Sequence, residues 1–361
     1  MKIKCIGDVM IPSTTFVNSA ENLVIDDIEI SSGDWETDWD KLQDRRLIVE
    51  EGGPGAEPVV SEIKEADEET EMLLVLFCPI SRDAIDSLPN LKLIGASRAG
   101  LENIDVEYAT EKGIIVEHVM GRNAEAVSDF AVGMMLSESR NIARSHKAVK
   151  NNWWRKNFPN SDFIPELKDK NIGLVGLGYI GELVVKKLKG FDVNIMVYDP
   201  YKTEEEVKRL GIEKVDKDEL FKTSDFVSVH ARLSEDNRNM IGSKEINMMK
   251  PTSYIINTAR AGLIDEEALY QALKEEKIAG AGLDVFWEEP LEENSRWLEL
   301  DNVTLTPHIA GTTTEALTKS PRLLVEDINR LLQKDKEPKF LVNPEVLEKD
   351  KAKEWLKKVQ K

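Results

Sequence analysis

The stretch NIGLVGLGYIGELVVKKLKGFDVNIMVYDP, residues 171–200, determines the fold class of this chain. It begins with an apolar run, passes through glycines with G-x-G-x-x-G spacing, and continues as an amphipathic helix and a second apolar run. Between a strand and a helix, the first glycine allows a tight turn, the second admits a pyrophosphate against the backbone, and the third permits close packing. These glycines are Gly176, Gly178 and Gly181. The alternative is a glycine-rich turn with only a packing role.

The residues after the glycines predict a dinucleotide cofactor. A helix that opens at Tyr179 and Ile180 offers unpaired backbone N–H groups to phosphates. Asp199 ends the next run, close to the roughly 20-residue spacing expected of an acid that accepts from ribose hydroxyls. Its carboxylate would occupy the space of a 2′-phosphate, which favours NAD over NADP. Lys202 and Arg232 are counter-evidence, since either could neutralise a phosphate.

Apolar runs of strand length continue on both sides of this stretch. The runs FVSVHA, SYIINTA, GAGLDVF and NVTLTPHI follow it, several of them separated by helical segments, which predicts a doubly wound parallel sheet. The runs KIKCIG, LLVLF, LKLIGAS and GIIVEH precede it and are apolar throughout, as in parallel strands covered on both faces. Two parallel-sheet α/β domains are therefore expected.

The remaining segments are less regular. The acidic region between KIKCIG and LLVLF is interpreted as loops with one helix at most. Residues 123–150 have helical spacing and are long enough to link two domains. After Thr312 the chain is expected to be helical, interrupted at Pro321, and to finish in a solvated helix or frayed end.

Composition limits the classes of partner. The chain has 361 residues and a formal net charge of −19, and both nucleic acid and anionic membranes reward the opposite charge, so neither is expected. The two cysteines, Cys5 and Cys78, cannot form a disulfide framework or a multi-cysteine metal site, so no metal is expected. The N-terminus lacks the features of a signal peptide, and a cytoplasmic protein is expected.

Several polar residues follow predicted strands that share one edge of the second sheet. Arg260 follows SYIINTA, Asp284 and Glu289 lie in GLDVFWEEP, and His308 follows NVTLT. In an open sheet this edge holds the reactive end of the cofactor. A guanidinium can grip a carboxylate and a carbonyl oxygen, and a carboxylate beside an imidazole orients the ring and favours its protonated form. These groups suit reduction of a carbonyl by hydride.

Each of these residues also has a structural interpretation. Arg260 could bridge near a strand end, Asp284 could cap a turn, and Glu289 could be one of several surface acids in WEEPLEEN. A histidine between a strand and a loop is common in any case. Their convergence on one edge favours the functional interpretation. The other three histidines, His118, His146 and His230, have no comparable neighbours and are expected to be structural. His230, at the end of FVSVH, could approach the adenosine side of the cofactor but would not reach the nicotinamide.

Five ordered motifs, NIGLVGLGYIG, YDP, INTARAGLIDEEAL, AGAGLDVFWEEPL and NVTLTPHIAG, together resemble the D-isomer-specific 2-hydroxyacid dehydrogenases, the family that includes phosphoglycerate, glycerate and formate dehydrogenases. The likeness runs from about Leu91 to His308. It implies a Rossmann-like NAD-binding domain, residues 119–311, inserted into a discontinuous flavodoxin-like catalytic domain, residues 1–118 and 312–361, with the substrate in the cleft.

The resemblance also implies roles for individual residues. Arg260 would bind the substrate carboxylate and polarise the carbonyl, His308 would be the acid/base, and Glu289 its partner. Asp284 would contact the nicotinamide carboxamide. Further cofactor contacts are expected at Ala231, Arg232, Thr258 and Ala259. The backbone of one loop would hold the substrate carboxylate, at Arg98, Ala99, Gly100 and Leu101. Arg232 departs from the family, many of whose members have proline there.

The implied activity is NAD-dependent interconversion of a 2-keto acid and its (R)-2-hydroxy acid. Two alternatives stay open: an NADH-sensing protein like the corepressors that resemble this family, and a 3-phosphoglycerate dehydrogenase. Residues 77–80 (FCPI) stand where phosphoglycerate enzymes carry a basic residue, and Arg98 alone is too little for a phosphate. A small unphosphorylated acid with a polar tail is therefore expected, although cations in residues 153–156 or in a partner subunit could complete a phosphate site.

A homodimer is expected through residues 123–150. This segment, with AVSDFAVGMML, has more apolar positions than one buried helix face needs. The family resemblance points the same way.

Overall fold

The computed structural model describes residues 1–333 and 336–360. The chain divides into two compact units, one formed by Met1–Arg122 with Thr313–Lys361 and the other by Asn123–Thr312. Each unit contains one sheet, of five and seven strands respectively, and neighbouring strands in both sheets pair in parallel. The expectation of two parallel-sheet α/β units is confirmed.

The first unit has the strand order β2-β1-β3-β4-β5, which is the flavodoxin-like order. Its strands are β1 Lys2–Gly7, β2 Glu29–Asp34, β3 Thr70–Val75, β4 Leu93–Ala96 and β5 Ile115–His118. Its helices are α1 Ser13–Ala20, α2 Trp39–Gly52, α3 Ser61–Lys64, α4 Arg82–Asp86, α5 Val106–Glu111, α13 Thr314–Leu331 and α14 Asp350–Val359, with a 3-10 turn at Pro344–Glu348. The central strands β3 and β4 are almost wholly buried, as their apolar sequences predict.

The interpretation of the region between KIKCIG and LLVLF as loops with one helix at most is wrong, because the region contains the helices α1, α2 and α3 and the strand β2. The β2 sequence EISSGD is largely polar and the strand has no fully buried residue. It pairs only with β1, at the edge of the sheet, where one side of the strand faces no neighbour. A strand held mainly by backbone hydrogen bonds leaves little apolar pattern in the sequence.

One expectation about the C-terminal segment is wrong, and a second holds only in that the chain end is helical. Helix α13 runs through Pro321 without interruption. Proline has no N–H to donate to the Leu317 carbonyl, four residues earlier, and the Ser320 hydroxyl donates to that carbonyl instead. The final helix α14 is docked and not frayed, because Trp355 is 2% exposed and its Nε1 donates to Glu71 at 3.0 Å.

The second unit has the strand order β12-β11-β10-β9-β6-β7-β8. The order reverses at β6, and ligands of such sheets bind at the carboxyl ends beside this reversal. The strands are β6 Asn171–Val175, β7 Asn194–Tyr198, β8 Glu213–Lys214, β9 Phe226–Val229, β10 Tyr254–Asn257, β11 Gly280–Leu283 and β12 Val303–Leu305. The helices are α6 Ala124–Ser139, α7 Ile142–Lys150, α8 Tyr179–Leu188, α9 Glu204–Arg209, α10 Lys217–Thr223, α11 Ser243–Ile246 and α12 Glu266–Lys274, with 3-10 turns at Lys189–Phe191, Glu235–Asn237, Ala261–Leu263 and Arg296–Glu299.

The segment 123–150 is two helices and not one. The chain breaks at Asn141, whose φ of 60° is left-handed and ends the helical path between α6 and α7. The apolar residues of α6 pack inside the unit, where Ala131, Met134 and Met135 are buried. Most of the apolar positions that motivated the dimer prediction are therefore used by the core of this unit.

Candidate active site

The glycine loop leaves β6 with one glycine facing open space and two crowded by protein. Gly176 has φ +96°, and a Cβ there would lie 2.7 Å from the Ala231 nitrogen. A Cβ on Gly181 would lie 2.7 Å from the Gly176 carbonyl oxygen, so the first turn of α8 packs directly on the loop. At Gly178 a Cβ would meet no atom within 4 Å. The space in front of the N-terminus of α8, where Tyr179 is 49% exposed, is open to a ligand.

Asp199 fastens the glycine loop to the end of β7. Its Oδ2 accepts from the backbone N–H of Leu177 at 2.7 Å, and its Oδ1 accepts from that of Tyr201 at 2.8 Å. The carboxylate lines a cavity of about 830 Å³, which is within the range of cofactor sites. Other residues of this cavity come from the glycine loop and the end of β9, among them Gly176, Gly178, His230, Ala231 and Arg232.

Two buried polar atoms at this edge are unpaired within the described residues. His230 Nε2 bonds the Ser228 hydroxyl at 2.9 Å, but its Nδ1 is buried without a partner, and burial lowers the pKa of His230 to about 4. The Thr258 hydroxyl is likewise buried and unpaired. Because unpaired buried polar atoms are rare, these two and the open Gly178 fit a polar ligand such as a dinucleotide. His230 thus lines the candidate cofactor cavity, which agrees with the possibility that it approaches the adenosine side of the cofactor.

The cations that argued against NAD differ in their surroundings. Lys202 forms ion pairs with Glu182 at 3.4 Å and Glu206 at 3.8 Å, so its charge is already compensated. Arg232 is exposed and lines the cavity. Arg232 is therefore the cation that could neutralise a 2′-phosphate, in opposition to the preference for NAD that Asp199 predicts.

His308 and Glu289 meet as the sequence predicts. The imidazole Nδ1 lies 2.7 Å from Glu289 Oε2, and Glu289 Oε1 accepts from the Phe286 N–H at 2.9 Å. Partial burial opposes ionisation of Glu289, but the hydrogen bonds from His308 and from the Phe286 backbone outweigh it and lower the pKa of the carboxyl. A charged carboxylate thus orients the ring through Nδ1 and leaves Nε2 for a ligand.

Asp284 lies beneath the loop that carries His308. It is fully buried, and its Oδ1 accepts from the Thr306 hydroxyl at 2.6 Å and the Ile309 N–H at 3.0 Å. Its Oδ2 accepts from the Ala310 N–H at 2.8 Å. These bonds lie on both sides of His308, whose φ of 53° is unfavourable for a residue with a side chain. The geometry supports Asp284 as a positioning residue, and its contact with the nicotinamide carboxamide stays a prediction.

Arg260 is held by a residue that sequence reasoning missed. Asn257, the last residue of β10, donates from Nδ2 to the Arg260 carbonyl at 2.9 Å and accepts at Oδ1 from the Ala259 N–H at 3.0 Å. The guanidinium is exposed, and its positive charge acts on Glu289. An asparagine directly before a turn was the available signal, since asparagine amides commonly bond turn backbones.

The remaining predicted residues, 98–101, lie in the first unit, directly after β4. The Ala99 carbonyl is bonded to His118 Nδ1 at 3.0 Å, and the Leu101 carbonyl accepts from Ile104 at 2.9 Å. A Cβ on Gly100 would meet only the flexible ends of the Glu102 and Arg98 side chains, which would have to shift to make room for it. Arg260, Glu289 and His308 belong to the second unit.

Two further properties bear on the class of protein. No cluster of His, Cys, Asp and Glu suited to a metal ion occurs in residues 1–333 and 336–360. No helix in these ranges has the length and apolar character needed to cross a bilayer.

The fold and the glycine loop thus define a dinucleotide-binding α/β protein. Residues 132–310 match the model of the D-isomer specific 2-hydroxyacid dehydrogenase NAD binding domain. The chain is 40% identical to a glyoxylate reductase of Thermofilum pendens, over 81% of this chain and 86% of that protein. It is 42% identical to a D-3-phosphoglycerate dehydrogenase of Methanocaldococcus jannaschii over 77% of this chain, and spans only 52% of that protein's length.

A solved structure of a D-isomer specific 2-hydroxyacid dehydrogenase from Lactobacillus delbrueckii ssp. bulgaricus, in its NAD-complexed form, shares the fold with a TM-score of 0.72. It is 22% identical and covers 95% of this chain and 100% of its own. This chain belongs to the D-isomer specific 2-hydroxyacid dehydrogenase family. Its cofactor is NAD.

Proposed function

We propose that this protein interconverts a 2-keto acid and the corresponding (R)-2-hydroxy acid with NAD, with His308 as the catalytic acid and base. The observation that carries the proposal is the 2.7 Å contact between His308 and Glu289, at the same carboxyl edge of the sheet as the glycine loop. A glyoxylate reductase is among the relatives of the chain, which supports a small 2-keto acid as substrate.

The proposed reaction divides its work among three side chains. Bound NADH supplies the hydride that adds to C2 of the keto acid. His308 donates a proton from Nε2 to the carbonyl oxygen, and Glu289 stabilises the imidazolium before the transfer. Arg260 grips the substrate carboxylate and stabilises the negative charge that develops on the oxygen. In the oxidative direction the neutral ring takes the proton back.

Replacement of His308 tests this proposal and separates it from a sensing role. We expect H308A to lower kcat for the reduction of glyoxylate or hydroxypyruvate by about 10²- to 10⁴-fold, because general acid catalysis is lost. NADH affinity, measured by fluorescence titration, should stay near that of the wild type. K208A on α9 is the control, because the Lys208 side chain is 74% exposed and lies in the same unit, away from the proposed site. Full turnover by H308A, or NADH binding by the wild type without reduction of any 2-keto acid, would contradict the proposal.

We also propose a homodimer, formed by α7 and the segment after it. Exposed apolar side chains gather there: Ile142 is 56% exposed, Val149 52%, Trp153 58% and Trp154 78%. Such a patch is unusual on the surface of a monomer. Light scattering at micromolar concentration should give twice the chain mass, and a single chain mass would exclude the dimer.

For the location of the protein we propose the cytoplasm. Cys5 and Cys78 are both free thiols and both buried, which is compatible with a reducing compartment. Fractionation of cells that express the tagged protein, followed by detection of the tag, tests this location directly.

A further inference from the structure

The indole of Trp287 joins two loops of the second unit. Its Nε1 donates to the carbonyl of Ile264 at 3.1 Å. Trp287 lies in the loop after β11, two residues before Glu289. Ile264 directly follows the 3-10 turn Ala261–Leu263, and Arg260 directly precedes this turn. One hydrogen bond therefore ties the loop that carries Glu289 to the turn that Arg260 opens.

The ring of Trp287 rests on a second tryptophan. It stacks on Trp297, with ring centroids 5.4 Å apart and an angle of 6° between the planes. Trp297 is 2% exposed and is fixed by α12, because its Nε1 donates to Glu266 at 3.2 Å and its ring meets that of Tyr270 at 82°, with centroids 5.7 Å apart. Helix α12 begins two residues after Ile264. The stacking and the hydrogen bond thus hold the indole against the same part of the unit.

The loop that carries Glu289 has no regular secondary structure to fix it. Residues 284–295, all of them described by the structure, form neither helix nor strand. The bond from the Phe286 N–H fixes the Glu289 carboxylate only relative to its own loop. The Glu289 side chain is 36% exposed, so packing does not immobilise it. The bond from Trp287 to Ile264 is the contact that relates this loop to the neighbouring turn.

Packing accounts for the stacking of the two tryptophans but not for the direction of the N–H. Trp287 is only partly buried, and an indole N–H in such a position can donate to water. Here it points to a fixed acceptor, because Ile264 is fully buried and its own N–H donates to the Ala261 carbonyl at 3.0 Å. Side chains locked in this way by packing and hydrogen bonds keep the groups of a site in place.

We propose that Trp287 is a positioning residue for the reaction, whose indole holds Glu289, and through it His308, in place relative to Arg260. The inference rests on the proposed function, in which Arg260 and His308 act on the same carbonyl group. Both side chains have to reach that group at once, and a displacement of about 1 Å can cost roughly 100-fold in rate. Trp287 itself contacts neither the substrate nor the transferred proton in this scheme.

Replacement of Trp287 by phenylalanine tests the role of the N–H, because phenylalanine keeps a ring that can stack on Trp297. We expect W287F to lower kcat for reduction of glyoxylate or hydroxypyruvate by roughly 10- to 100-fold. NADH affinity in a fluorescence titration should stay within about twofold of the wild type, because the glycine loop is unchanged. W287L removes the stacking as well and should lower kcat further. W39F is the matched control, since Trp39 is 52% exposed at the start of α2.

The pH profile separates positioning from a purely structural role. A less firmly held Glu289 stabilises the His308 imidazolium less, so W287F should lose reduction about half a pH unit below the wild type. In the double variant W287F/E289Q this pH should equal that of E289Q, because the charge that Trp287 positions is absent. A loss of stability alone would lower the melting temperature and leave the pH profile in place.

The possible results lead to different conclusions. Wild-type kcat or an unshifted pH profile in folded W287F, or an equal shift with and without the Glu289 charge, overturns the positioning role and leaves the proposed function standing. If melting curves show that W287F is unfolded, the same measurements on W287L decide, and unfolding of both assigns the indole a structural role instead. If the wild type reduces neither acid, the proposed function fails and the inference falls with it. A lower kcat with a pH shift that disappears in E289Q supports both.

Discussion

Replacement of Glu289 by glutamine should shift the pH dependence of the reaction in both directions of turnover. Glutamine keeps the shape of the side chain, so it can still accept from the Phe286 N–H and bond His308 Nδ1, but it carries no charge. In the proposed reaction the His308 imidazole delivers the proton that reduction consumes. Without the carboxylate the imidazolium is less stable, so the variant should lose reduction at a lower pH than the wild type.

The size of the shift follows from the geometry. Unit charges about 4 Å apart interact by about 1 kcal/mol in water and about 4 kcal/mol near a protein surface. The His308 and Glu289 side chains are 47% and 36% exposed, so solvent screens the pair and the lower part of this range applies. At 1.36 kcal/mol per pH unit, a loss of about 1–2 kcal/mol moves the profile by about one pH unit.

The assay is steady-state kinetics from pH 5 to 9 in buffers of constant ionic strength. In E289Q, the pH at which the rate of reduction falls should be about one pH unit lower than in the wild type. The pH at which the rate of oxidation of the hydroxy acid rises should be lower by the same amount. E288Q is the control, because Glu288 is the exposed neighbour in the same loop. If E289Q folds and both limbs stay where they are in the wild type, Glu289 does not act through His308.

Three further predictions concern the cofactor and the loop that carries His308. Gly178→Ala should leave the melting temperature within about 2 °C of the wild type, because the added Cβ meets no protein atom within 4 Å. The same variant should weaken NADH binding, measured by fluorescence titration, by roughly tenfold or more. Unchanged affinity would place the cofactor elsewhere. The wild type should have a higher kcat/KM with NADH than with NADPH. Asp199→Ser should raise the ratio of kcat/KM with NADPH to kcat/KM with NADH by roughly tenfold or more. Equal use of both cofactors by the wild type would contradict this prediction. Asp284→Ala should lower the free energy of unfolding, measured in urea, by roughly 2–5 kcal/mol, because the Ile309 and Ala310 N–H groups lose their acceptor. A decrease below about 1 kcal/mol would show that the carboxylate does not hold the loop.

Patterns confined to a few consecutive residues were readable from the sequence. The strand, glycine turn and helix of residues 171–188 depend on apolar periodicity and on backbone conformations that glycine allows, and both are local properties. The same reasoning failed where local signals mislead. Strand β2 is polar because it is an edge, and α13 continues through Pro321 because the Ser320 hydroxyl bonds the Leu317 carbonyl.

The candidate site was only partly predictable. The ends of the predicted strands identified Arg260, Glu289 and His308 as candidates. Parallel strands bring their carboxyl ends to one edge of the sheet, independently of the loop conformations. The family resemblance also named Glu289 as the partner of His308. That Asn257 supports Arg260 depends on loop conformation and rotamers that short-range spacing does not encode.

By itself the sequence determined the two parallel sheets, the cofactor loop and the family, because these follow from the order of local patterns along the chain. The tertiary structure alone decided that Asp284 lies beneath the loop that carries His308 and that Arg46 and Arg98 stack on Phe77. These residues come from separate elements, and no periodicity relates them. Their distances are set by how strands, helices and loops pack, and that packing determines whether a charge finds a partner or is left free for a ligand.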